Sequence, residues 1–229
     1  MQYTILKKPN RKTAKVIVAP DNSVSILAPD NLSDDEIDKI IQKKRLWILK
    51  KKALNNEVRK PAKSKEYVSG ESFTYLGRNY RLKVLEGDYK PTSYESARLC
   101  VSVPKEANNA HKEEFIRESI INWYREHALT KFKQRAKKYS TLLNVKPKQI
   151  KLGNFKSQWG SCHQDKTVVF NWKVIMAPIS IVDYVVAHEL CHLIHHDHSK
   201  DFWRLLSKIM PDYAERKDWL RINGAYLEL

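Results

Sequence analysis

The stretch HELCHLIHHDHSKDF, residues 188–202, holds five of the chain's eight histidines within eleven positions. It continues the run ISIVDYVVA, in which Ile181, Val182, Val185 and Val186, with Leu190, cover nearly the whole circumference of a helix predicted over 179–195. A helix that is apolar all round belongs in a core. His188, Glu189 and His192 are then buried with it, at a cost that only a metal or hydrogen bonds can offset. His188 and His192 stand four residues apart on one face, the spacing at which two imidazoles share one zinc ion. Glu189 sits beside them, placed to act on water at the metal.

A third ligand has to come from His195, His196 or His198. An unbroken helix would carry His195 past the metal, whereas a chain turning back after Leu193 or Ile194 returns His198. His198 also precedes Ser199, a plausible N-cap for a helix over 199–209, so its backbone is held. His198 is therefore the expected third ligand, with His195 and His196 beside the site or facing solvent. Cys191 lies next to His192 and reads as a small buried thiol.

Working outward, AKVIV and SVSILA around APDN form a hairpin. Ser33 and Glu36 form a capping box, opening a helix to about Leu54 whose apolar positions are Ile37, Ile40, Ile41, Trp47 and Ile48. Residues 55–66 lose this periodicity and read as a linker. A second hairpin, ESFTYLG and NYRLKVLE, turns at Gly77-Arg78, and ARLCVSV adds a strand. A long helix follows from about Asn109 to Ser140, closed by Asn144. Two strand-like runs then flank a polar turn at His163–Lys166. The fold class expected is α+β: a β-rich portion over 1–108 with one basic helix (about 33–54), then a helical, catalytic-type portion over 109–229.

The chain has a net charge of +16. Residues 39–65 carry eleven Lys or Arg against one acid, and residues 131–156 carry nine against none. Such concentrated charge attracts polyanions, so DNA or RNA is an expected partner, with Lys43, Lys44, Arg45, Lys50, Lys51 and Lys52 as contacts. An equally plain reading is a set of solvated lysine-rich helix faces. No run of eighteen apolar residues is present, which excludes a membrane span. Three scattered cysteines provide no disulfide framework, and the N-terminus lacks a signal-peptide pattern; a cytoplasmic location is expected.

The combination of W159-G-S-C162, VFN171, DYVVAHELCH, H198-S-x-x-F-W and M210-P-D-Y213 resembles the YgjP-like metallopeptidases, relatives of the Wss-type and SprT/Spartan proteases. TYLGRNY near residue 77 and RLWILKKK near residue 47 resemble it more faintly. The resemblance implies a zincin-type core of gluzincin- or minigluzincin-like subtype. It further implies one Zn2+ held by His188, His192 and His198, Glu189 as general base, and a protein or peptide substrate. The glycine of the metzincin motif is replaced by His195, and no clear Met-turn follows. Gln158 stands where many relatives carry a basic residue.

Substrate-contact candidates are Trp159, Asn171 and Tyr213, and VVFN (168–171) is the strand expected to support an extended peptide. Tyr184 and Tyr213 are candidate donors to a developing oxyanion. The competing class is a nucleic-acid-binding or interaction module with a structural or degenerate zinc site. Glu189 separates the two, since a structural site has no use for an acid there.

Overall fold

The structure, a computed structural model, describes residues 2–9, 11–19, 21–57, 64–105 and 109–229. It is α+β, and the chain divides into two compact units, residues 1–60 and 61–229. The boundary predicted at 108 falls inside the second unit. The predicted linker lies near the observed division, with its middle, 58–63, outside the described residues.

In the first unit the expected hairpin is β2 (Lys15–Val18) against β3 (Val24–Pro29), and β1 (Thr4–Lys8) joins β3 in parallel. Val24, Ile26 and Ala28 alternate onto one face, as a strand with one buried side requires. Ile37, Ile41 and Ile48 cover them from two helices, α1 (Asp34–Lys43) and α2 (Arg45–Glu57). The capping box forms as predicted: Ser33 Oγ accepts from the Glu36 N–H, and the Glu36 carboxylate accepts from the Ser33 N–H. The single predicted helix is interrupted at Lys44. Trp47, expected on the apolar face, is 43% exposed, because only Ile48 of α2 reaches the sheet.

Among the described residues the second unit holds two sheets and four α-helices. One sheet runs β4-β5-β7-β6, from β4 (Ser72–Tyr75), β5 (Arg78–Glu86), β6 (Ser93–Glu95) and β7 (Arg98–Val103). The β4–β5 turn is Leu76-Gly77, one residue earlier than predicted, with φ of 49° and 77°. Two positive φ values define the tight hairpin turn whose twist matches its strands. This turn docks on a short 3-10 helix, Trp172–Met176: Leu76 N–H donates to Ile175 O and Gly77 N–H to Met176 O. Helix α3 (Asn109–Leu143) then runs through the core, contributing Ile120, Tyr124, Ala128 and Phe132, and Asn144 closes it with φ of 52°.

The second sheet places the histidine helix. Its order is β8-β10-β9, from β8 (Gln149–Gly153), β9 (Gly160–Cys162) and β10 (Thr167–Asn171). Strand β10 pairs in parallel with β8 and antiparallel with β9, so VVFN is the central strand and not an edge. The two edges of this sheet are β8 and β9, and β9 is the one that lines the cavity described below. Helix α4 (Ile179–Cys191) is buried almost throughout, as its composition predicts. Asp183 on α4 forms a bidentate ion pair with Arg135 of α3, and Arg216 donates to Ser180 O from α6 (Tyr213–Asn223). Helix α5 (Lys200–Ile209) starts at Ser199, whose Oγ accepts from the Phe202 N–H. No described helix is long and apolar enough to cross a membrane.

Candidate metal centre and its cavity

Helix α4 ends at Cys191, earlier than the predicted 195, and His192 is its cap. The Ile194 and His195 N–H groups both donate to Cys191 O at 3.0 Å, closing a tight turn. No residue from 192 to 198 has a positive φ, so the chain reverses here without the glycine that other motifs need at 195. The reversal delivers His198 to the helix face. One ring nitrogen each from His188, His192 and His198 lies within 4.8 Å of the others, and His198 Nε2 approaches His188 Nε2 to 3.0 Å.

These residues fit a metal by the chemistry of the donors. The His192 Nδ1–H donates to His195 O at 3.0 Å, which fixes the tautomer and leaves Nε2 as a free lone pair. Here His195 contributes its carbonyl rather than its ring. Burial, the neighbouring imidazoles and Lys217 push the His188 pKa down to about 3, so the ring is neutral and its lone pair is available to a metal. Burial likewise lowers that of His192. The 3.0 Å separation is close to the ~3.3 Å between two nitrogens of a tetrahedral zinc site. His188 Nδ1 is buried with no hydrogen-bond partner among the described residues.

Aromatic rings hold His198 in place. Trp203 stacks on it with centroids 5.5 Å apart, Tyr213 stacks on Trp203 at 5.3 Å, and Lys217 Nζ sits 4.3 Å from the Trp203 centroid. In the sequence Trp203 figures only as part of the H198-S-x-x-F-W pattern, with no role at the site, and Lys217 does not stand out. The HSKDFW spacing could have indicated Trp203, which lies five residues beyond His198.

The histidines open into a cavity of about 390 Å³ lined by residues 158–162, Tyr184, Val185, Glu189, His196 and Leu220. Glu189 is 6% exposed, and burial alone pushes its carboxyl up to about 8. A dication held by the histidines would pull that value back toward the ordinary carboxylate range. Cys162 also faces this space, its thiol pushed up to about 11 by burial and then by the Glu189 carboxylate. Burial raises Tyr184 to about 12.

Trp159 lies in the cavity wall, its ring packed against Gly224, where an added Cβ would meet it at 2.7 Å. Tyr213 is absent from the wall and spends its ring on Trp203. Asn171 is also absent: it is 1% exposed and fully engaged within the protein. Its amide donates to Phe155 O and Gln158 O, and its Oδ1 accepts from the Lys173 N–H. Asn171 thus fastens the loop that carries Gln158 and Trp159. Five of the six basic candidates are exposed on the first unit, with Lys52 half-buried.

An α+β fold with a three-histidine cluster on a buried helix, beside a carboxylate in an open cavity, defines a candidate metal centre of hydrolytic type. The model of the YgjP-like metallopeptidase domain matches residues 12–223, and the chain belongs to that family. It is a metallopeptidase, a class that works with a divalent metal on protein or peptide substrates. No curated protein matches the chain. Among solved structures it is similar to the metallopeptidase zymogen of Pyrococcus abyssi abylysin, at 20% identity and a TM-score of 0.37, over 41% of this chain and 92% of that one.

Proposed function

We propose that this metallopeptidase is a zinc enzyme of the gluzincin-like kind, with His188, His192 and His198 as ligands and Glu189 as general base. The observation that carries the reading is the convergence of three imidazole nitrogens within 4.8 Å on the cavity that also receives the Glu189 carboxylate. Zinc, when bound, supplies a Lewis acid that polarises a carbonyl and makes water more acidic. Glu189 takes the proton from the attacking water and passes it to the leaving amine as the C–N bond breaks.

The substrate is positioned by β9. Bonds from Asn171 N to Trp159 O and from His163 N to Thr167 O set the ladder register. In that register Gly160 and Cys162 are the non-bonded positions, so their N–H and C=O groups point away from β10. They line the cavity edge, where an extended peptide can add as a further strand. This support falls to β9 in place of the VVFN strand.

A structural zinc normally has four protein ligands, whereas the cluster among the described residues has three. The test is Glu189→Gln, with metal content and peptide hydrolysis measured together. One zinc per chain with hydrolysis reduced by at least ~1,000-fold is expected. Wild-type turnover in that variant would refute the role of Glu189.

A further inference from the structure

Gly160 sits at the closest approach of β9 to α4. An ideal Cβ built there would lie 2.6 Å from Glu189 Cγ and 2.8 Å from both Cδ and Oε1. Real Cβ atoms do not approach other heavy atoms that closely, so a side chain at 160 displaces either the strand or the carboxylate. The backbone of Gly160 is not in the left-handed region, so conformational freedom does not explain the residue. Space for Glu189 does.

Three features confine the carboxylate. Glu189 is buried on an almost wholly buried helix, so the helix cannot retreat without opening the core. Strand β9 is tied to β10 through residues 160–162 and continues into Trp159, whose carbonyl accepts from Asn171 N. The carboxylate also faces the cavity that it shares with His188, His192 and His198. A group added at 160 therefore pushes the carboxylate toward the space that substrate and metal need.

We propose that Gly160 is a positioning residue for Glu189, and that its missing side chain sets the distance between the base and a peptide lying on β9. The second half follows from register. The N–H and C=O of the same residue face the open edge of the sheet, so one glycine meets the base on one side and the substrate backbone on the other. The catalytic meaning of this rests on the reading of Glu189 as general base; the packing claim stands without it.

The test is a double-mutant cycle of Gly160→Ala and Glu189→Ala, read first by thermal unfolding with and without added zinc. Gly160→Ala is expected to lower Tm by several degrees when Glu189 is present and to change it little when residue 189 is already truncated. Equal losses in both backgrounds would overturn the proposal, because the strain would then lie in the strand itself. A single variant that fails to fold while the double variant folds is the same supporting result in stronger form; failure of both to fold overturns it.

The second readout is kinetic. With zinc content unchanged, Gly160→Ala should lower kcat by about 100-fold while KM shifts by no more than about threefold. An unchanged kcat also overturns the proposal, as does a loss confined to KM, which would locate the effect in strand pairing alone. Affinity for a non-cleavable reduced-bond peptide, measured by calorimetry on zinc-free protein, should be retained. The two failures are distinguishable: full activity in Glu189→Gln removes the general base, whereas equal Tm losses remove the positioning by Gly160.

Discussion

Single side chains around the histidines do different jobs, and each can be separated by measurement. Trp203 stacks on His198 without reaching the cavity wall, so any effect it has on a bound metal would pass through the ring it holds. Trp203→Ala is expected to weaken zinc affinity by roughly 10- to 100-fold, with Trp203→Phe losing less; competition against a chromogenic chelator measures both. Unchanged affinity in the alanine variant would show that the stack contributes packing alone. Cys162 offers a second probe. With its thiol raised to about 11, its thiolate fraction at pH 8 is about a thousandth. The sign follows: a raised pKa suppresses the reactive anion below 11, so iodoacetamide should modify Cys162 slowly at pH 8 and faster as pH climbs. Glu189→Gln removes the second cause of the shift and should speed the reaction in part. The gathering of His188 and His192 was readable because a spacing of four projects directly onto a helix face. Gly160 and the loop contacts of Asn171 were not, since each depends on a neighbour well separated in sequence; the stacking of Trp203 was not, because a residue pattern does not show which ring faces which.

Secondary-structure elements reach the site through a few fixed contacts. The β4–β5 turn is one: Gly77 combines a positive φ with a backbone so close to Pro178 that an added Cβ would meet its Cα at 2.9 Å. Pro178 precedes α4, so this turn buttresses the start of the helix that carries the histidines. Gly77→Ala should cost about 1–2 kcal/mol, seen as a lower denaturation midpoint. Arg135 and Asp183 clamp α3 to α4, and removing the guanidinium leaves a mostly buried carboxylate without its partner. Arg135→Ala is therefore expected to lose about 2–3 kcal/mol of stability; a loss under ~0.5 kcal/mol would mean the pair is solvated in practice. Elements with strong local signals were legible: the capping box at Ser33, the apolar run of α4, the N-cap at Ser199. Strand order was not. VVFN is as apolar as an edge strand covered by a helix would be, and only pairing on both sides reveals it as central. Helix α6 also escaped notice, because its inward residues Tyr213, Trp219 and Leu220 are interleaved with the charged run Glu215–Asp218, which masks the helical period.

The two units divide the chain's charge as well as its cores. The family match spans both, yet the histidines, Glu189 and the whole cavity belong to residues 61–229. On the first unit, α2 exposes Arg45, Lys50 and Lys51 next to Leu46 and Trp47, while on the second, Lys133, Lys137 and Lys138 are exposed along α3. Because composition alone left DNA or RNA binding and a merely solvated surface as equal readings, salt dependence is the discriminating quantity. A protein that neutralises several phosphates releases counterions, so its affinity falls steeply as salt rises. If the basic cluster from the end of α1 through α2 carries the binding, replacing Lys43, Lys44, Lys50 and Lys51 by alanine should flatten the slope of log K against log salt by roughly one for each phosphate no longer neutralised. Peptide hydrolysis should be unaffected, since none of these lysines lies in the unit that holds the site. Binding that is absent or insensitive to salt would refute recruitment to nucleic acid and leave the peptidase reading untouched. A slope unchanged by the four substitutions would assign the binding to α3, where Lys133 and Lys137, four residues apart on one helix face, are the next pair to replace.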